Sequence, residues 1–214
     1  MIALKDRRRK VPDLGEDLEN LAAGKITDGA SLEDAQVANG DFSGTTIPSL
    51  VVRCSVIEAI SFAQAHLRSV RLRDVRFVRC DLSNAVMRGF EASRVEFVDC
   101  RLTGMKAIEC RMEDVLLERC DSRYAQFNDG TAQCSDFIDT QLQDADFRAV
   151  NLENTRWIRA DLSRADLTGA KLTGADLRGA SIEGMIVGAP DLSGAIVSPS
   201  QAMEFARLLG LTIR

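Results

Sequence analysis

Six cysteines, at positions 54, 80, 100, 110, 120 and 134, are the side chains of this sequence best able to do covalent or metal chemistry. Cys80, Cys100 and Cys120 stand twenty residues apart, which a fold that stacks its turns would convert into a column of thiols. No two cysteines form C-x-x-C, so zinc-ribbon spacing is absent. His66 is the only histidine, and a Ser-His-Asp set or a histidine-ligated metal therefore lacks parts. No G-x-x-x-x-G-K-[ST] loop is present to cradle a phosphate. These absences point to a non-catalytic protein with no catalytic, metal or cofactor-binding residues.

The bulk of the sequence narrows the class further. The chain has 214 residues and a formal charge of −5, a balance unlike that of a general nucleic-acid binder, which is basic. It has no apolar run long enough for a membrane span. Basic residues at Arg7, Arg8, Arg9 and Lys10 are not followed by an apolar stretch, so an ordinary secretory signal is not expected. The expectation is a cytoplasmic protein with reduced thiols, no direct nucleic-acid contact and no membrane contact.

The elements that position these residues follow from one repeat. Asp161–Ala180 reads DLSRA DLTGA KLTGA DLRGA, with Leu162, Leu167, Leu172 and Leu177 five apart and a small residue two places before each. The same frame runs back through Trp157, Phe137, Phe97 and Phe77 to Leu32, and forward to Val197. Steps of five from 32 to 197 make 34 pentads without a frame shift, and among their centres only Ser122 is polar. Neither a helix nor an ordinary strand gives this period. A second period of twenty relates VRFVRCDL (75–82), VEFVDCRL (95–102), VLLERCDS (115–122), SDFIDTQL (135–142) and TRWIRADL (155–162). Four pentads per coil make a four-sided rod of about eight coils, roughly 40 Å long at one strand spacing per coil.

These residues resemble the pentapeptide-repeat proteins, whose motif is A-[D/N]-L-x-x. The resemblance spans residues 30–199 and is most specific from Asp136 to Ala195. It implies an all-β solenoid, a right-handed quadrilateral parallel β-helix. The centre of each pentad and the residue two before it would point inward, and the other three outward. Similarity to the loop-free quinolone-resistance type implies a DNA-mimicking rod with DNA gyrase, a topoisomerase, as candidate partner and a homodimer formed through the C-terminal end.

Stacking at twenty residues turns the sequence into ladders. Phe77, Phe97, Leu117, Phe137, Trp157 and Leu177 form an inward ladder of packing residues. Cys80, Cys100, Cys120, Thr140 and Ala160 occupy a corner that wants a small side chain, so packing explains these thiols. Cys54 and Cys134 fall outward and are expected to be more accessible. Arg79, Asp99, Arg119, Asp139 and Arg159 alternate in sign and set register. The next outward ladder, Val78, Val98, Glu118, Ile138 and Ile158, is largely apolar. It suits a partner protein, the chain's own N-terminal segment, or simply the β-propensity of branched residues. A modest acidic patch is expected at Asp121, Asp129, Asp144, Asp146, Asp161 and Asp166, interrupted by Arg148 and Arg164.

The ends should be caps. Residues 1–29 are read as a basic, solvated tail and a short helix, with a capping box at Asp13-Leu14-Gly15-Glu16 and a stop at Gly24. Residues 30–199 are the β-helix, and residues 200–214 a C-terminal helix and tail that opens at Ser198-Pro199-Ser200. Ala202, Phe205, Leu208, Leu209 and Leu211 offer more apolar surface than one cap needs, and are the candidate dimer interface. The function expected from the residues is a rigid protein-binding scaffold.

Overall fold

The computed structural model describes residues 9–213. It is a parallel β-solenoid of about seven regular turns, four-sided and right-handed, closed by one C-terminal helix. Each side is marked by its inward centres: Val52, Leu72 and Met112 on the first, Phe77, Phe97 and Trp157 on the second, Leu82 and Leu142 on the third, Met87 and Phe147 on the fourth. Every strand pair is parallel, and from Val37 onward the register is the expected twenty: Val37 pairs Ile57, Ile57 pairs Phe77, Phe77 pairs Phe97 and Phe137 pairs Trp157. One 11-stranded sheet takes in the first two sides, and a 4-stranded sheet forms the N-terminal half of the fourth. The third side is joined by isolated bridges such as Asp81–Arg101 and Asp121–Gln141.

The core is the inward ladders. Phe77 stacks on Phe97 with ring centroids 4.9 Å apart, and Phe137 stacks on Trp157 at 4.0 Å, distances set by one strand spacing. Phe147 meets Trp157 edge-on at 5.5 Å, which ties the fourth side to the second across the interior. The buried Trp157 indole donates to Thr155 Oγ1 at 3.0 Å. Two residues past most centres the backbone turns a corner through the left-handed region, for example at Asp99 (φ 55°), Asn154 (φ 58°) and Gly169 (φ 74°). Glycine adopts this conformation freely, and Asn and Asp more readily than other residues, which accounts for the repeat's Gly, Asn and Asp at that place.

Both ends depart from the frame, and there the coil number falls below the expected eight. The expected N-terminal helix is not formed. Glu19–Ala22 is a strand pairing with Ala35–Ala38, and Ala23–Lys25 is a single 3-10 turn. Leu21 lies beside Val37, a step of sixteen residues instead of twenty, so the first coil is abbreviated. The exposed edge of the next coil offers this segment backbone partners, as in Glu19 N–H to Asp34 O at 2.8 Å. An isolated helix of this length is marginal in water, and edge pairing wins. Ile26 is buried within this first coil.

The C-terminal helix, Pro199–Leu208, forms as expected. Ser198 is its N-cap in a capping box with Gln201, and Pro199 opens the first turn. Gln201 is buried and donates to Leu177 O at 2.6 Å and Ala180 O at 3.0 Å, satisfying carbonyls of the last regular coil.

Candidate functional site

The outer surface of the second side carries three parallel rows. The first is the apolar ladder, where Glu58, Val78, Val98, Glu118, Ile138 and Ile158 lie in continuous register. Val78, Val98, Ile138 and Ile158 are all half-buried. The structure therefore brings the four predicted contact residues into one line along the rod.

The second row is the alternating one, and its arginines pair with carboxylates of their own row and with Glu58 and Glu118 of the first. Arg119 donates to Asp99 at 2.7 and 3.1 Å, Arg159 to Asp139 at 2.5 Å twice, and Arg79 pairs with Glu58. The Arg119 and Arg159 guanidinium groups hold the carboxyls of Asp99 and Asp139 below the usual range. These charges satisfy one another and frame the apolar ladder.

The third row is Arg76, Glu96, Leu116, Asp136 and Arg156, and the N-terminal segment lies over it. Arg9 is nearly buried, bonded to Glu96 at 2.9 Å and 3.5 Å from Asp136. Lys10 N–H donates to Asp114 at 3.1 Å and Asp13 N–H to Asp74 at 3.0 Å. Arg9 is thus not part of a solvated tail; Arg7 and Arg8 lie outside the described residues. The segment does lie along this side, but beside the apolar ladder and not on it. Cys134, expected to be accessible, is only 3% exposed; it shares a corner with Asp74 and Asp114 and stands two residues before Asp136, which Arg9 approaches. Cys54, at the other end of that corner, is half-exposed.

Asp74, Glu96, Asp114 and Asp136 are the residues that sequence reasoning missed. Their signal is present in the sequence as acids on two adjacent outward rows facing a basic N-terminus. Nothing in a repeat period says where a segment outside the repeat will lie.

The acidic patch is largely neutralised. Asp121 binds Arg123 at 2.7 Å, Asp146 binds Arg148 at 2.6 Å, and Asp144 binds Arg164 at 2.7 Å. Asp166 lies 3.8 Å from Arg148, and Asp161 accepts from Gln143 at 2.6 Å and Ser163 at 2.5 Å. Asp129 is exposed and accepts from Asn128 at 2.8 Å. At the C-terminal end Phe205 is buried against the chain's own core, while Ala202, Leu208, Leu209 and Leu211 are exposed. Of these, Ala202, Leu209 and Leu211 line a shallow hollow of about 290 Å³ with Leu192 and Val197.

The column of thiols is a packing feature. Cys80, Cys100 and Cys120 donate to backbone carbonyls of the preceding coil, Cys120 to Phe97 O at 3.3 Å, and Thr140 does the same to Leu117 O at 3.0 Å. Its bond with the Cys120 side chain, with burial, pushes the Cys100 thiol up to about 12; burial alone takes Cys110 to about 12. A thiol so held is protonated and inert at neutral pH.

The geometry has a counterpart in known sequences. A family model described as pentapeptide repeats matches residues 145–184 in eight copies, and one described as a pentapeptide repeat region matches residues 70–137. The chain belongs to the pentapeptide-repeat family. Among solved structures, a trypsin-treated form of QnrB1, a plasmid-mediated fluoroquinolone resistance protein, aligns at 16% identity and a TM-score of 0.41, covering 92% of this pentapeptide-repeat protein and 99% of that chain. HetL, a pentapeptide-repeat protein involved in heterocyst differentiation regulation from the cyanobacterium Nostoc sp. strain PCC 7120, aligns at 19% identity and a TM-score of 0.31, covering 82% and 90%. No curated protein matches the sequence.

Proposed function

We propose that this pentapeptide-repeat protein is a non-catalytic, rigid scaffold that binds another protein along the second side. The observation that carries this is the in-register ladder of Val78, Val98, Ile138 and Ile158, left half-exposed beside a covered row. Two pairs of branched apolar side chains, one on either side of Glu118 and flanked by ion pairs, suit a partner that lays apolar groups along the rod. Imitation of duplex DNA for a topoisomerase such as DNA gyrase asks for unpaired carboxylates along a continuous stripe. Here Asp121, Asp144 and Asp146 each hold an arginine, which favours the scaffold over the mimic.

The test is affinity capture with the native protein and with a variant in which Val78, Val98, Ile138 and Ile158 are all threonine, a change that keeps β-propensity. The scaffold reading expects captured proteins to be lost with the variant; an unchanged set removes the ladder from the site. A supercoiling assay with DNA gyrase, with and without a fluoroquinolone, is expected to show neither inhibition nor protection. The C-terminal end belongs to the same reading as a self-docking patch. Light scattering should give twice the chain mass, falling to the monomer in Leu208→Ser with Leu211→Ser.

A further inference from the structure

We propose that the corner between the first and second sides is a recognition trough for an extended, arginine-bearing segment, occupied here in cis by residues 9–13, which a basic segment of a partner protein can displace. The trough is a different row from the apolar ladder, so its failure would leave the scaffold reading standing.

Four carboxylates line it, and all are buried although they point out of the solenoid: Asp74 4%, Glu96 6%, Asp114 2% and Asp136 3% exposed. Three of them have an arginine anchor. Arg94 donates to both oxygens of Asp74 at 2.5 Å, Arg76 to Glu96 at 2.8 Å, and Arg156 to Asp136 at 2.7 and 2.5 Å. Other carboxylates of the outer surface that carry an arginine, such as Asp99 and Asp139, remain exposed. What buries these four is the segment laid over them.

The attachment is made of groups that other segments share. Two of the contacts are backbone N–H groups, from Lys10 and Asp13, which any extended peptide presents. They meet carboxylates two coils apart, Asp114 and Asp74. Three residues of extended chain span about 10 Å, and two coil steps span about the same. An extended backbone therefore keeps pace with the solenoid, whatever its side chains. The specific element is one guanidinium, that of Arg9, between Glu96 and Asp136. Apolar anchoring is slight, since Pro12 is buried but Val11 is 64% exposed. A seat made of charge and hydrogen bonds with one small apolar contact favours exchange over permanent closure.

Cys134 reports on the trough, because it is buried at the same corner. The experiment uses the full chain with Cys54→Ala and follows maleimide labelling of each cysteine by peptide mass mapping. In the added variant Arg9→Ala, Cys134 is expected to label at least tenfold faster while Cys80, Cys100, Cys110 and Cys120 stay unlabelled. A synthetic peptide of residues 5–14 should then slow Cys134 labelling again, and the same peptide with alanine in place of its arginines should not. Parent-rate labelling in Arg9→Ala, no protection by the peptide, or equal protection by the arginine-free peptide each overturns the proposal. If the four core cysteines label as well, the variant has lost its fold, and Glu96→Gln is read in its place under the same criteria.

Discussion

Gly130 has an ordinary backbone angle, yet no other residue fits it as it stands. A Cβ there would lie 2.8 Å from Cys110 O, 2.9 Å from its Sγ and 3.1 Å from its N, so the obstacle is one coil away in space and twenty residues away in sequence. The same ladder takes larger residues elsewhere, Phe90, Val150 and Ala170, so the constraint is local to this coil. Gly130→Ala is therefore expected to destabilise by about 1–3 kcal/mol, the usual cost of overpacking. Adding Cys110→Ala should restore only part of this, since it removes Sγ and leaves the backbone atoms in place. Thermal or urea melts of the two variants check both statements.

At the scale of single elements, the C-terminal helix was legible in the sequence and the N-terminal segment was not. Ser198-Pro199-Ser200-Gln201 carries its own cap, so local chemistry alone places that helix. Asp13-Leu14-Gly15-Glu16 reads as the same kind of signal, but the Asp13 N–H is taken by Asp74, sixty-one residues on, and Glu19–Ala22 pairs as a strand. Long-range partners overrode a weak local preference. The same difference divides the candidate site: the ladder at Val78, Val98, Ile138 and Ile158 follows from the repeat period, whereas the trough depends on a segment outside it. Gln201→Ala is the matching prediction for the helix. It would take the side-chain donor from the carbonyl of Ala180 and leave that of Leu177 with only the Ala180 N–H, at a cost of about 1–3 kcal/mol. A fall in melting temperature without a change in far-UV circular dichroism is the expected result.

For the molecule as a whole, stability should hold between two pH limits. At the acid limit, burial raises the carboxyl of Asp74, but Arg94 and the Asp13 N–H outweigh it and hold the group below its ordinary 3.8. Asp121 is likewise held down by Arg123, and Asp176 by Arg178. Folding thus favours the ionised forms; their contribution is complete above 3.8 and is lost as pH falls through the depressed values. At the alkaline limit the sign reverses. Cys100 and Cys110 rise from 9.0 to about 12, so the unfolded chain gains by ionising these thiols as pH climbs above 9. Melting temperature is expected to be level from about pH 5 to 8, and to fall below about pH 4 and above about pH 9. A decline already under way at about pH 6 would mean that other groups govern stability.

The charge row on the second side sets a rule for changes in length. Coils repeat every twenty residues, but Arg79, Asp99, Arg119, Asp139 and Arg159 repeat every forty. Loss of a single coil anywhere in that stretch would keep the backbone in phase and yet set two like charges face to face, whereas loss of two coils would restore the alternation. Shortening by one coil is thus expected to cost up to about 1 kcal/mol more at this row than shortening by two, so recombination within the repeat should favour descendants differing by an even number of coils.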